Sequence, residues 1–208
     1  MFEPQLALPV RLEIPPRIAP HETETLTEYA KRVASSLDVR EPFHLGGASF
    51  GGMLAIEMAR YVKPRSLVLI SSCRSRRAVP LMARMAGTFA PILPARSFSL
   101  MKRGAAIVRR AFGISSAEHA KLFSDMLRDT PPEHLKWCIN AVLNWNGVQK
   151  LSVPVFHIHG QRDRVLPIRG VQADRVIRDA GHLVNLTHPT DVNDAIATFI
   201  SSIESTSR

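Results

Sequence analysis

The spacing of apolar residues along the chain switches between short apolar runs and a helical period, which predicts strands alternating with helices. Residues 66–71 form a continuous apolar run, typical of a strand covered on both faces of a parallel sheet. Residues 42–45, 153–159 and 173–177 have similar strand character, and 10–14 alternates apolar with charged residues. We therefore expect an α/β fold with a mostly parallel sheet.

Helices are predicted between these strands. A capping box begins at Thr25, and apolar residues keep a 3.6-residue period from there to Asp38. Two further helices are predicted, over 53–61 and, at the end of the chain, over 191–203. The order of elements is thus the one that places parallel strands side by side.

The alternation of predicted strands and helices stops in the middle of the chain. Residues 74–148 have a helical pattern interrupted by glycine and proline, which predicts an all-α insertion. We expect the α/β core to comprise 1–73 and 149–208. Trp137 and Trp145 should pack the insertion onto this core rather than bind a ligand.

Composition favours a soluble, non-secreted and cytoplasmic protein. The chain has 208 residues, 45% of them hydrophobic, which is enough for one α/β domain with a core. Its start has no basic leader, and no window reaches the roughly 18 apolar residues of a membrane span. Cys73 and Cys138 are far apart and outside any metal-binding spacing, so both are interpreted as reduced packing residues rather than nucleophiles.

The net charge of +9 is concentrated in one part of the insertion. Nine basic residues and no acidic one lie between positions 74 and 114: Arg74, Arg76, Arg77, Arg84, Arg96, Lys102, Arg103, Arg109 and Arg110. Apolar residues are mingled with them: Leu81, Met82, Met85, Phe89, Ile92, Leu93, Phe98, Leu100 and Met101. We favour a solvated arginine-rich helical face. The alternatives are a lid with an apolar inner face, and a basic surface making weak contact with anionic lipid or an acidic carrier. Nucleic acid is not expected, because no binding motif is present and the aromatic residues are sparse.

A possible nucleophile lies in the motif G-x-S-x-G at residues 47–51, between a predicted strand and a predicted helix. A turn this tight should hold Ser49 in a strained backbone conformation, and side chains at Gly47 and Gly51 should collide with the neighbouring strand and helix. The N–H of Phe50 and the helix dipole would then be placed to stabilise an oxyanion.

A serine nucleophile needs a base that is oriented by a carboxylate. Asp163 follows one predicted strand and His182 follows the next, so both should lie at the same sheet edge as Ser49. Asp174 and Asp179 are less favoured alternatives for the acid, because Asp174 lies at the start of a predicted strand and Asp179 is expected to stabilise the turn before His182.

The remaining histidines have structural interpretations. His157 and His159 share one strand face and offer a metal-ligand alternative, but a hydrogen-bonded buried pair is favoured because no further ligand stands nearby in the sequence. His44 is expected to pack, and His188 to lead into the last helix. No metal and no cofactor are expected.

Three segments, GGASFGGMLAIEMA, HIHGQRDRVLP and DAGHLVNLTHP, resemble in this order the α/β-hydrolase superfamily, in particular small bacterial members with a G-x-S-F-G-G turn. The resemblance covers nearly the whole chain outside the insertion. It implies that Ser49 is the nucleophile, His182 the general base and acid, and Asp163 the residue that orients it. It also implies that residues 74–148 are a cap or lid.

The chain departs from the superfamily in two places. The strand whose loop supplies the second oxyanion N–H is not found, so the fold is expected to be N-terminally truncated. The recorded chain would then begin at an internal methionine of a longer protein; a partner chain filling the gap, or direct pairing of the flanking strands, are the alternatives. The interval from Asp163 to His182 is also too short for the usual helix.

The sequence therefore predicts a serine hydrolase that cleaves an ester, thioester or related acyl bond of a small molecule through an acyl-enzyme. The alternative is a non-catalytic binding or scaffold protein with an incomplete oxyanion hole. The oligomeric state is left open.

Overall fold

The computed structural model describes residues 1–87, 94, 105–114, 116–148 and 150–206. These residues form a four-stranded, fully parallel sheet in the order β1-β2-β3-β4. The strands are β1 (Leu45–Ala48), β2 (Leu67–Ile70), β3 (Val155–Gly160) and β4 (Arg175–Ile177). Their carboxyl ends lie at one edge of the sheet.

Helices precede, follow and join the strands. The α-helices are α1 (Leu26–Ser35), α2 (Phe50–Val62), α3 (Leu81–Gly87), α4 (Ala105–Phe112), α5 (Ala117–Arg128), α6 (Pro132–Asn144), α7 (Val184–Thr187) and α8 (Pro189–Thr206). Short 3₁₀ turns cover Glu3–Ala7, Arg76–Ala78 and Ile168–Gly170. The predicted capping box is present at the start of α1, where Thr25 Oγ1 accepts from Glu28 N–H and the Glu28 carboxylate accepts from Thr25 N–H.

The parallel α/β sheet is confirmed, but the strand expected at 10–14 is wrong. Residues 11–20 have no regular secondary structure. Ile14 is 57% exposed, and Arg11 and Glu13 pair with each other at the surface. The alternation of apolar and charged residues over so few positions therefore does not mark a strand with one buried face. The strand expected at 42–45 instead begins at Leu45 and continues to Ala48.

The sheet has an apolar cluster on each face. Helices α1 and α2 cover one face, and their contacts include Leu26, Tyr29, Ile56, Leu67 and Leu69. Helix α8 covers the other, together with apolar residues from the first ten of the chain; this cluster includes Val68, Ile70, Ile158, Val192 and Ile196. The expected absence of an α-helix between β3 and β4 is confirmed, since the linking segment contains only the 3₁₀ turn at Ile168–Gly170.

The described parts of the predicted insertion are helical and are joined to the core by two tryptophans. Trp137 Nε1 donates to Glu24 O over 2.7 Å, and its ring packs against Tyr29. Trp145 Nε1 donates to the buried carboxylate of Glu57 over 2.7 Å. Several residues named from the sequence lie outside the described part: Phe89, Ile92, Leu93, Arg96, Phe98, Leu100, Met101, Lys102 and Arg103.

Across the described ranges, none of the helices combines the length and the hydropathy that crossing a bilayer requires.

Candidate active site

Ser49 occupies the turn between β1 and α2, at the carboxyl edge of the sheet. Its backbone has φ 52° and ψ −120°, a region that residues with a side chain rarely adopt. The turn is held from both sides, because Ser49 N–H donates to Ile70 O over 2.9 Å and Ser49 O accepts from Ser72 Oγ over 2.8 Å. The side chain is half-buried, and Phe50 is the first residue of the helix behind it.

The glycines of the turn differ in how strictly they are required. A Cβ at Gly47 would overlap the backbone of Gly51, so the predicted collision is present there. Gly51 has open space around its Cα, and the prediction of a collision at this position is wrong. Gly52 is the second constrained position, because its Cβ would lie 2.6 Å from Ser72 Cβ. The close approach of α2 to the strands thus depends on Gly47 and Gly52.

This difference predicts opposite effects of alanine at two positions of one motif. Gly47→Ala forces backbone atoms apart and should lower the free energy of unfolding by about 3 kcal/mol or more, the range of severe overpacking. Gly51 lies in a helix and has free space around it, so Gly51→Ala should raise the free energy of unfolding by no more than about 1 kcal/mol. Thermal and urea denaturation of both variants measure these effects. Equal destabilisation by both would contradict this account of the turn.

Asp163 and His182 lie beside Ser49 in a continuous hydrogen-bonded chain. His182 Nε2 is 2.8 Å from Ser49 Oγ, and His182 Nδ1 is 2.7 Å from Asp163 Oδ2. Asp163 is in the loop after β3 and His182 in the loop after β4, so parallel pairing of these strands brings both to the edge where Ser49 sits. With Asp163 ionised, His182 carries its proton on Nδ1 and presents a lone pair to the serine hydroxyl.

The acid and the histidine are almost fully removed from solvent. Asp163 is 4% and His182 2% exposed. Burial alone would raise the pKa of Asp163, but hydrogen bonds from His159, His182 and Leu166 N–H outweigh it and lower the pKa of this carboxyl. Asp163 Oδ1 accepts from the N–H groups of Val165 and Leu166, each over 2.8 Å. The carboxylate is therefore ionised and fixed in orientation.

The last residue of α4, Phe112, contacts His182 directly. Phe112 O accepts from His182 N–H over 3.1 Å, and the Phe112 ring stands edge-on to the imidazole at 5.0 Å between centroids. Phe112 also packs against Phe123 of α5. A segment of the predicted insertion thus shields and orients the histidine.

The alternative acids and the histidines His44 and His188 lie in surroundings that do not include Ser49. Asp174 accepts from His157 N–H, and Asp179 pairs with Arg162 in a turn where its own φ is 62°. His44 Nδ1 is 2.7 Å from Ser66 Oγ, and His188 immediately precedes α8. Among the described residues, no hydrogen bond joins any of these four side chains to Ser49.

His157 and His159 form the expected hydrogen-bonded pair, with 3.3 Å between His159 Nδ1 and His157 Nε2. The sequence analysis missed one feature of the pair: Asp163 Oδ2 lies 3.2 Å from His159 Nε2. The signal was present in the spacing, because His159 precedes Asp163 by four residues across a strand end. Within the ranges that the structure covers, no group of three or more histidine, cysteine or acidic side chains has the arrangement of a metal site.

The cysteines lie outside this site. Burial raises the pKa of Cys73 to about 11 and that of Cys138 to about 12, which keeps both as thiols at neutral pH. Neither forms a disulfide. Their interpretation as reduced packing residues agrees with these surroundings.

Solved structures of similar fold are enzymes from several bacteria. An esterase from Thermogutta terrifontis superposes with a TM-score of 0.66 at 21% identity, over 89% of this chain and 75% of that one. A bromoperoxidase from Bacillus anthracis gives 0.58 at 18%, over 84% and 72%. The esterase RhEst1 from Rhodococcus sp. ECU1013 gives 0.59 at 17%, over 86% and 72%. At these identities the likeness shows the fold. None of the curated proteins matches the sequence.

The sequence itself matches one family model, described as the alpha/beta hydrolase family, over residues 14–195. The match spans the sheet, the turn at Ser49 and the loops that carry Asp163 and His182. Because it covers most of the chain and agrees with the parallel fold, the chain belongs to the alpha/beta hydrolase family.

Proposed function

We propose that the protein is a serine hydrolase that cleaves an ester, thioester or related acyl bond of a small molecule. The observation that carries this proposal is the chain Ser49 Oγ, His182 Nε2, His182 Nδ1 and Asp163 Oδ2, with successive contacts of 2.8 and 2.7 Å. A nucleophile, a base in hydrogen-bond reach and a buried carboxylate that orients the base are the three groups that acyl transfer requires.

In the first half-reaction, Ser49 Oγ attacks the acyl carbon while His182 Nε2 takes the hydroxyl proton. The tetrahedral intermediate then expels the alcohol or thiol, which takes that proton from His182, and Ser49 is left acylated. In the second half-reaction, water attacks the acyl carbon with His182 again as base. Ser49 leaves as the hydroxyl, and the carboxylic acid product is released.

Phe50 supplies an oxyanion donor in this proposal. It is the first residue of α2, so its N–H and the positive end of the helix dipole are directed toward the turn that holds Ser49. A single good donor of this kind contributes about 3 to 4 kcal/mol of transition-state stabilisation in a comparable enzyme. No residue is assigned as a second N–H donor to the oxyanion.

Residues 74–148 are proposed to act as a cap over this site. The contact of Phe112 with His182 and the two tryptophan hydrogen bonds to the core support it. The alternative, a binding protein without catalysis, is disfavoured by the hydrogen bonds that join all three proposed catalytic groups and by the burial of Asp163 and His182. The structural neighbours named as esterases give the acyl-transfer proposal further support.

The test is pre-steady-state hydrolysis of p-nitrophenyl acetate by the full chain. We expect a burst of p-nitrophenol of about one equivalent per protein if deacylation limits turnover, and an acetyl adduct on Ser49 in acid-quenched samples. Esters of increasing chain length then define the acyl preference. Well-folded protein with neither turnover nor adduct on any of these esters would contradict the proposal.

A further inference from the structure

The end of helix α4 and the loop that carries His182 touch through their backbones. Phe112 O accepts from His182 N–H over 3.1 Å. Beside this hydrogen bond, a Cβ on Gly113 would lie 2.8 Å from Gly181 Cα, and a Cβ on Gly181 would lie 2.8 Å from Gly113 Cα and from Phe112 O. Cβ atoms do not approach other heavy atoms so closely. The contact as it stands therefore requires glycine at both positions.

The chain reaches this contact because α4 ends in a Schellman motif. Gly113 has φ 73°, and its N–H donates to Arg110 O over 3.3 Å. Ile114 N–H donates to Arg109 O over 3.0 Å, which closes the motif. The last four carbonyls of a helix have no partner within it, and Phe112 O finds its partner in the core. The end of the helix and the loop beside it thus satisfy each other's backbone groups.

Apolar packing fastens the same contact on both sides. Ile114 and Leu183 lie in one buried cluster with Phe123 of α5. The Phe112 ring stands edge-on to the imidazole of His182, with 5.0 Å between the centroids. Residues 112–114 of the insertion therefore lie against residues 181–183 of the core, and contact both the backbone and the ring of the proposed catalytic base.

We propose that residues 112–114 are a positioning element for His182, so that the insertion is a working part of the proposed catalytic centre as well as a cover. The ring nitrogens of His182 have hydrogen bonds to Ser49 and Asp163, which set the direction of the ring. The hydrogen bond from its backbone N–H to Phe112 O sets the place from which the ring extends. These residues act through His182, and their role in catalysis rests on the function proposed above.

The consequence is that activity depends on how the insertion sits on the core. If residues 112–114 move away, His182 loses the acceptor of its backbone N–H and the aromatic ring beside its imidazole. A misplacement of a reacting group by about 1 Å can cost about 10²-fold in rate. Displacement of the insertion should therefore slow the chemical step even while Ser49 and Asp163 remain in place.

The direct test is hydrogen exchange of the His182 backbone amide, followed by NMR in the wild-type chain and in Gly113→Ala. We expect slow exchange in the wild type. In the variant the added Cβ must push the two backbones apart, so exchange should be faster by about tenfold or more. An unprotected His182 amide in the wild type, or equal exchange in the two proteins, would overturn the proposal.

Gly147→Ala is the matched control, because it adds the same group under similar strain at the other end of the insertion. Gly147 has φ 83°, and its Cβ would overlap Arg74 O. Arg74 O accepts from Val148 N–H over 3.0 Å, so this is the point where the two ends of the insertion meet. We expect lower thermal stability but unchanged exchange at His182. Equal acceleration in Gly113→Ala and Gly147→Ala would overturn the proposal.

The catalytic test compares Phe112→Ala with Phe199→Ala in kcat and KM for p-nitrophenyl acetate. Phe199 is a part-buried phenylalanine of α8 that stacks on Phe156 at 4.9 Å between centroids. Loss of the ring beside His182 should lower kcat and kcat/KM alike by about tenfold or more, because positioning acts in the transition state. Phe199→Ala should lower thermal stability and leave kcat unchanged. Unchanged kcat in Phe112→Ala would overturn the proposal.

The two readouts separate this proposal from the function on which it rests. Amide exchange needs no substrate, so it decides the contact between the insertion and His182 even if the wild-type chain hydrolyses no ester. An inactive wild type would contradict the proposed hydrolase. If Gly113→Ala does not fold, His182 exchange in Phe112→Ala replaces it, with the same acceleration expected and unchanged exchange again contradicting the proposal.

Discussion

Replacing Ser49 with alanine is expected to lower kcat for ester hydrolysis by about 10⁶-fold, the loss seen when the serine of a comparable triad is removed. Alanine has the same Cβ as serine, so the backbone strain at this position does not change. The hydrogen bonds from Ser49 N–H to Ile70 O and from Ser72 Oγ to Ser49 O do not involve the lost hydroxyl. The fold should be retained. Steady-state kinetics together with thermal denaturation separate lost chemistry from lost structure.

Ser35→Ala is the matched control for this variant. Ser35 is an exposed serine at the end of α1, and its hydroxyl donates only to Lys31 O within the same helix. Its removal should leave kcat and KM unchanged. Activity of Ser49→Ala above about one per cent of wild type would show that another group carries the reaction.

The second large effect is expected for Asp163→Asn, with a loss of about 10⁴-fold in kcat, as in a comparable triad. The asparagine Oδ1 still accepts from Val165 and Leu166 N–H, so the loop keeps its form. Its NH₂ group, however, donates toward His182 Nδ1 and selects the tautomer with the proton on Nε2. That nitrogen then faces Ser49 Oγ as a donor and can no longer take its proton.

Asp174→Asn is the control for this tautomer effect. Asp174 is exposed and accepts from His157 N–H, a bond that an asparagine oxygen can keep. We expect activity within a factor of a few of wild type. Proton NMR of the His182 ring in Asp163→Asn reports the tautomer, and a variant that keeps most of its activity would contradict the role of Asp163.

The parallel sheet and the order of its elements follow from the apolar pattern, because strands buried on both faces leave continuous runs such as 66–71. The failure at 10–14 has a physical reason: alternation over five residues does not require a buried face, and Ile14 is exposed. The continuation of β1 from Leu45 to Ala48 was also missed, because glycines within the strand give no apolar signal and the neighbouring strand decides their conformation.

For the candidate site, the sequence predicted which residues meet but not what holds them. Ser49, Asp163 and His182 each follow a strand of one parallel sheet, so chain order was sufficient to place them together. The contact of Phe112 with His182 depends on the packing of distant helices and leaves no local pattern. The steric constraint at Gly52, which was expected at Gly51, likewise comes from Ser72, which lies 20 residues further along the chain.

The central claim is that Ser49 is a nucleophile activated by His182, and labelling with a fluorophosphonate probe tests it most directly. The wild-type chain is treated with the probe and the adduct is located by peptide mass spectrometry, beside Ser49→Ala and His182→Ala. We predict a single adduct on Ser49 that is absent from the first variant and slowed by orders of magnitude in the second. No adduct on well-folded wild-type protein, or labelling of Ser49 at the same rate without His182, would contradict the claim.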